Sequence, residues 1–302
     1  MSASNVRFRR TARGSAVFAA LLGATAAMLP ATAQEAPAMP AATTTGDAVL
    51  AGVVAGEWRS AAHKSRDESR KPQAVLEFWG LKPGMSILEV QPGEGWWTQI
   101  LAPYAARTGG RYSATAPDIL NPTLSEAARV ARQQFELRFY NPAIYGRVEL
   151  VNWGPTATPL AAEQYDFILV SRSVHGWMRA EGASERNFGQ LARALKPGGV
   201  LAIEQHRANP GVQDPKAASG YVTEQHVIQL AEKAGLKLAG RSEINANPKD
   251  TKDHPFGVWT LPPIRQSVPM GSKEPPAADF DRAKYDAIGE SDRMTLRFVK
   301  GA

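Results

Sequence analysis

Met85-Ser-Ile-Leu-Glu-Val-Gln-Pro-Gly-Glu-Gly-Trp-Trp-Thr98 is an apolar run that ends in an acid, turns on Gly-x-Gly and continues with Trp97, Ile100, Leu101 and Tyr104 at helical spacing. The pattern predicts a buried strand, a tight loop and the first turns of a helix, which is the layout of a nucleotide site. Gly93 and Gly95 let the backbone take positive φ and come close to a ligand, and Glu89 can accept hydrogen bonds from ribose hydroxyls or an amine. A dinucleotide fingerprint needs a third small residue where Thr98 stands, and Gly-x-x-x-x-Gly-Lys-Ser/Thr occurs nowhere, so a cofactor without phosphate is favoured.

Upstream, Val49 to Ala62 and Arg66 to Trp79 carry helical spacing, with Pro72 at a helix start, and Leu81-Lys-Pro-Gly84 turns the chain into the strand. Arg66, Asp67 and Arg70 are either ligand contacts or solvated charges. Downstream, Gly109-Gly110 stops the helix near Ala106 and Arg111 to Thr115 reads as a second strand. Thr123 to Phe139 reads as a helix and Val148 to Val151 as a third strand ending at Asn152-Trp153. Tyr165-Asp-Phe-Ile-Leu-Val170 suits a central parallel strand buried on both faces. Ser171-Arg-Ser-Val-His-Gly-Trp177 then falls at its carboxyl end, where open α/β sheets bind ligands. His175 there is a candidate general base, its ordinary pKa lying near neutrality; a histidine bonded to a loop carbonyl is the alternative. Glu181 to Leu195 is the next helix, stopped by Lys196-Pro-Gly-Gly199, and Val200 to Gln205 a fifth strand. Thr223 caps a helix to Ala234, Leu236 to Glu243 is strand six and Met294 to Val299 the last. Between these two strands, 245–290 is a long insertion in which His254, Phe256 and Trp259 point to a packed cover over the cleft.

The 302 residues, 43% hydrophobic and 21% charged, suit one α/β domain with extensions. The formal charge of +6 comes largely from the first 33 residues, which hold Arg7, Arg9, Arg10 and Arg13 and no acid. Without them 31 basic residues face 29 acidic ones, so no nucleic-acid partner is expected. That segment has a basic start, an apolar run from Ser15 to Leu29 and Ala31-Thr-Ala33, the pattern of a cleaved secretory signal in 1–33. The run falls short of a bilayer span, so a soluble periplasmic or secreted product, without stable membrane insertion, is expected to begin near Gln34. An Ala-, Pro- and Thr-rich linker covers 34–46 and the fold starts at 47. Cysteine is absent, which excludes disulfides and a thiol nucleophile. His206 and His226 lack companions at ligand spacing and no His-Glu-x-x-His occurs, so no metal is expected.

Leu-Lys-Pro-Gly-Met-Ser-Ile-Leu-Glu-Val-x-Pro-Gly-x-Gly from Leu81, then Tyr-Asp-Phe-Ile from Tyr165, then Leu-Lys-Pro-Gly-Gly-Val-Leu-Ala-Ile from Leu195 together resemble class I S-adenosylmethionine-dependent methyltransferases. Within them, Glu89 to Trp97, Ala234-Gly-Leu-Lys-Leu, Asn247-Pro-Lys-Asp and Asp292-Arg-Met-Thr-Leu-Arg-Phe look like a group of exported bacterial predicted methyltransferases. The resemblance implies a Rossmann-like, doubly wound, seven-stranded sheet, mostly parallel with an antiparallel last strand. It also implies S-adenosylmethionine as cofactor. By position, Glu89, Gly93 and Gly95 would frame its methionine and ribose parts, with Gln91 and Ser171 beside them and Asn152 near adenine. This sequence departs from the pattern twice. Gln91 stands where the loop has its first glycine, and Ala116 where the ribose acid belongs, with Asp118 two residues on as the candidate replacement.

Three functions follow as expectations. One is methyl transfer to a small-molecule acceptor with His175 as base, and the second a non-catalytic binding module on the same fold. A hydrolase is the third, disfavoured because no Gly-x-Ser-x-Gly elbow exists. Nothing in the sequence names the acceptor or the oligomeric state.

Overall fold

The computed structural model describes residues 47–301; the expected leader and linker, 1–46, lie outside the described residues. Seven strands form one sheet: β1 (Ser86–Val90), β2 (Arg111–Pro117), β3 (Val148–Trp153), β4 (Tyr165–Ser171), β5 (Leu195–His206), β6 (Leu236–Ser242) and β7 (Arg293–Lys300). Their order is β3-β2-β1-β4-β5-β7-β6. The pairs among β1 to β5 are parallel, and β7 runs antiparallel to both β5 and β6, as expected. β1 is buried at all five residues because it has a strand on either side and helices on both faces.

Four helices precede the sheet: α1 (Ala48–Val54), α2 (Ala61–Lys64), α3 (Asp67–Arg70) and α4 (Pro72–Trp79). Asp47 caps the first by accepting from the N–H groups of Val49 and Leu50. α5 (Thr98–Thr108), α6 (Glu126–Arg138), α7 (Pro142–Tyr145), α8 (Val174–Trp177), α9 (Ala183–Ala194), α10 (Glu224–Lys233) and α11 (Arg282–Asp286) follow. Strand alternation assigns each sheet residue to one of two layers. Ile87, Phe167, Leu169, Val200 and Ala202 pack against α1, α4 and α5 through Leu50, Leu76, Trp79, Ile100 and Leu101. Leu88, Val90, Ile168, Val170, Leu201 and Ile203 pack against α9 and α10 through Phe188, Leu191, Val227 and Leu230. Glu89 and Glu204 share the parity of the first set, which puts both carboxylates on the α4/α5 face.

Two sequence expectations shift. Leu195-Lys-Pro-Gly-Gly199 is not a stop outside the sheet but the opening of β5: Leu195 pairs with Tyr165, and an irregularity before Phe167 absorbs the extra residues. β2 extends past Thr115 to Pro117 because Ala116 and Pro117 pair with Asn152 and Trp153 of a longer β3. β1 and β4 are adjacent while their chain continuations diverge to opposite sides, so their carboxyl ends bound the crevice of the fold. No described helix is long and apolar enough to cross a membrane.

Candidate ligand-binding site

At that crevice both central strands end in a strained residue. Gln91 after β1 has φ +51, and Arg172 after β4 has φ +55. Side chains with a Cβ rarely occupy this region, and such strain persists only where surroundings impose it. Gln91 is held by its N–H on Thr115 Oγ1 at 2.7 Å and by its Oε1 accepting from Trp177 Nε1 at 2.7 Å. Arg172 is held by its N–H on the Glu204 carbonyl at 2.7 Å.

Two cavities meet at Gln91-Pro92-Gly93. One, of 580 Å³, lies over β2 and β3 between α6 and α9, walled by Pro117, Phe135, Trp153 and Trp177 with Arg132 and Asn187 at its edge. The other, of 530 Å³, lies over β1, β4 and β5 and brings Arg66, Glu89, Arg172 and His175 together beneath Trp259. Gly93, at φ +60 with open space where a Cβ would stand, borders both. The first suits a flat aromatic group, the second a polar, charged one.

Glu89 is 2% exposed. Its Oε2 accepts from Tyr112 Oη at 2.6 Å and Thr98 Oγ1 at 2.9 Å, whereas Oε1 accepts from no donor among the described residues. Burial pushes its carboxyl up to about 7, against those two hydrogen bonds, which pull it down. Ser171 is already engaged: Oγ donates to Glu204 Oε2 at 2.6 Å and accepts from Trp97 Nε1 at 3.2 Å.

His175 lies on the wall of the charged cavity. Gln205 Nε2 is 3.2 Å from the Gly220 carbonyl, which fixes the amide, and 3.2 Å from His175 Nδ1. Gln205 Oε1 lies 3.5 Å from the same nitrogen, so the amide engages Nδ1 in either tautomer, and Nε2 has no hydrogen-bond partner among the described residues. Burial, opposed by the Gln205 bond, pushes the imidazole down to about 4. The ring is therefore neutral at neutral pH, and Nε2, the nitrogen that Gln205 leaves free, is the one open to a ligand in the cavity.

The remaining expected residues do not all gather here. Gly95 lines neither cavity; a Cβ on it would stand 2.3 Å from Phe139 Cζ, so its bareness and its φ of +81 serve packing within the turn. Asp118 turns back on its own loop, accepting from the Leu120 N–H at 3.0 Å, and lines neither cavity. Asn152 accepts from Arg132 Nη1 at 2.6 Å and is likewise off the lining. Ala116 does line the apolar cavity, and among the described residues no carboxylate does.

Sequence reading missed His63, which lines the charged cavity and bonds Gln99 Oε1 through Nδ1 at 3.0 Å. It also gave no role to Arg172, Glu204, Glu290 and Arg293. The signal was present only for Arg172, one residue after the strand whose end it predicted. Within 245–290, Val258, Trp259 and Leu261 to Ile264 roof the charged cavity. Among the described residues no group of three or more histidines or acids is placed to hold a metal.

Residues 88–203, from β1 into β5, match the family described as "Methyltransferase domain". No match is found among the curated proteins. Solved structures give fold-level likenesses. A SAM-dependent methyltransferase from Aquifex aeolicus is 24% identical over 60% of this chain and 87% of its own, with a TM-score of 0.44. A SAM-dependent methyltransferase from Methanosarcina mazei is 15% identical over 75% and 97%, with a TM-score of 0.43. The [4+2]-cyclase SpnF is 14% identical over 78% and 81%, with a TM-score of 0.46.

Proposed function

We propose that the protein transfers a methyl group from S-adenosylmethionine to a small-molecule acceptor. The observation that carries this reading is the pair of unlike cavities joined at Gln91-Pro92-Gly93, over the ends of β1 and β4. A ligand with a flat base at one end and a charged amino-acid group at the other has both surfaces it needs there, and the methyltransferase-domain match over 88–203 agrees. Phe135, Trp153 and Trp177 would hold the base, with Arg132 and Asn187 at its polar edge. The free Oε1 of Glu89 would take the ammonium, and the Gly93 and Glu94 N–H groups, which make no backbone hydrogen bond among the described residues, the carboxylate. The ribose diol finds no carboxylate, so Gln91 and the Ala116 backbone are the groups left to it.

When bound, that cofactor supplies an electrophilic methyl on a sulfonium. Displacement at such a centre is in line, so the protein contributes chiefly position and alignment. Trp97 bonded to Ser171 fixes one wall of the charged cavity, and Trp259 with Leu261 to Ile264 covers part of it. Neutral His175, on the lining of the charged cavity, hydrogen-bonds the acceptor through the ring nitrogen that Gln205 leaves free.

Titration calorimetry with S-adenosylhomocysteine in two buffers of different ionisation heat tests the reading. An ammonium beside Glu89 pulls its carboxyl from about 7 to well below 6, so binding at pH 6 is expected to release most of one proton. Absence of heat with both S-adenosylhomocysteine and S-adenosylmethionine would sink the proposal. A second reading, a non-catalytic binding module, draws on the missing ribose carboxylate. Tight S-adenosylhomocysteine binding with no methyl release from labelled S-adenosylmethionine across an acceptor panel would favour it. Export, and kinship to the exported bacterial group, are proposed from the leader and motif sequences alone. Intact mass of secreted protein beginning near Gln34 tests the former.

A further inference from the structure

Resting on the methyl-transfer reading, we infer that the acceptor is a small organic carboxylate whose anionic group is bound by Arg66 and Arg172 in the charged cavity. On the α4/α5 face three guanidiniums pair with two carboxylates, and a fourth, that of Arg172, lies near them. Arg293 Nη1 bridges Glu204 Oε1 at 2.6 Å and Glu290 Oε2 at 3.1 Å, and Glu290 also accepts from Arg66 Nε at 2.7 Å and Arg70 Nε at 3.1 Å. Arg172 has no carboxylate within ion-pair distance among the described residues; its side chain makes one long contact, Nε to Ser171 Oγ at 3.4 Å. The cluster thus carries an excess of two positive charges.

Burial makes that excess expensive. Arg70 is 1% exposed, and both of its Nη atoms, like Arg66 Nη2 and Arg293 Nε, are buried without a hydrogen-bond partner among the described residues. The Trp96 ring 4.5 Å from the Arg70 guanidinium offsets part of this through cation–π attraction. Two further carboxylates border the cavity. Glu89 bonds Tyr112 and Thr98, and Glu94 lies exposed at the rim; neither forms an ion pair among the described residues. Desolvation together with the neighbouring cations holds Arg70 down at about 9 and keeps the His206 imidazole neutral. Of the four cations, Arg66 and Arg172 are the two that line the cavity. A planar guanidinium takes a carboxylate in a two-point fork, and the Trp97 and Trp259 walls accept an apolar or aromatic body behind it. The cofactor is itself zwitterionic at its amino-acid end, so its binding leaves the surplus charge for the acceptor.

The probes are benzoate and its neutral isostere benzamide, titrated into protein saturated with S-adenosylhomocysteine. Benzoate is expected to bind at least tenfold more tightly than benzamide. Arg172→Gln is expected to lose that preference and Arg172→Lys to keep part of it, with circular dichroism and unfolding midpoints confirming that the variants fold. Equal affinity for the two probes, or a preference untouched by both Arg66→Gln and Arg172→Gln, would overturn the inference. So would a second result: either variant weakening S-adenosylhomocysteine tenfold while leaving 5′-methylthioadenosine, which lacks the amino-acid end, unchanged. That result assigns the fork to the cofactor's own carboxylate. Protein that binds neither adenosyl compound yet prefers benzoate through Arg172 keeps the anion site and removes the methyl-transfer reading.

Discussion

At the scale of single residues, chemistry is set by burial more than by residue type. Glu89 is an acid whose carboxyl sits at about 7 because the sheet and α5 exclude water from it. Its folded pKa lies above its ordinary value, so the folded state keeps a proton that the unfolded state sheds. The resulting stability is fully present below about pH 4.5 and is lost as pH rises to 7, amounting to roughly 3 kcal/mol. Glu89→Gln is expected to flatten that loss in urea midpoints measured between pH 5 and 8; an unchanged slope would refute the assignment. Glu204 titrates in the opposite direction and in a separate window. Desolvation opposes its ionisation, but Arg293 and Arg172 prevail and hold it at about 2, so its contribution is lost only as pH falls from 4.5 towards 2. Gly95 shows the same dependence on surroundings. Gly95→Ala places a methyl against Phe139 at positive φ and is expected to cost about 2–4 kcal/mol, partly recovered by Phe139→Leu. S-adenosylhomocysteine affinity of the folded Gly95→Ala protein should stay within a few fold, because Gly95 borders neither cavity.

At the scale of elements, α5 carries a proline in its interior and is not broken by it. Pro103 has no N–H to give the Gln99 carbonyl, and Trp58 Nε1 donates to that carbonyl at 2.8 Å instead. A residue before α2 therefore completes a helix that starts forty residues later, and ties the N-terminal helices to the wall of the charged cavity. Trp58→Phe leaves the carbonyl without its donor and is expected to cost about 1–3 kcal/mol. Pro103→Ala restores the N–H, so a double-mutant cycle should show a favourable coupling of at least about 0.5 kcal/mol. Additive losses would mean that the indole bond contributes nothing. β5 teaches a related lesson: Lys-Pro-Gly-Gly reads as a stop by local conformational preference, but a parallel neighbour supplies Leu195 with a partner and the strand begins early.

At the scale of the molecule, the segment 245–290 is fastened as a roof by buried polar groups more than by regular structure. Asp250, 3% exposed, accepts from Tyr221 Oη, His254 Nε2, and the N–H groups of Asp292 and Lys252. Asp250→Ala leaves Tyr221 and the Asp292 N–H without their acceptor in a dry site, expected to cost about 2–4 kcal/mol. Hydrogen exchange should speed up at 254–264 while β1 and β4 keep their protection; uniform acceleration across the sheet would show that roof and core open together.

The sequence by itself determined the sheet. Apolar β-branched runs at β1, β4 and β5, separated by helical periods and Gly-Pro turns, leave a doubly wound parallel core as the way to bury every strand on both faces, and the strand-end positions of Glu89, Gly93 and His175 follow from that. Periodicity is a local signal, and strand boundaries missed by two or more residues only where a neighbour's pairing extended them. Which way a side chain faces once the strand has ended is not local. Gln91 and Arg172 took left-handed backbones because Thr115, Trp177 and Glu204 fixed them; Asp118 turned onto its own loop; and His175 had one ring nitrogen engaged by Gln205. The arginine cluster was the least legible of all. Arg66, Arg70, Arg172, Glu204, Glu290 and Arg293 come from four separated stretches, and only the tertiary structure, by bringing α3, β4, β5 and the start of β7 to one end of the sheet, makes their charges add at one largely buried place.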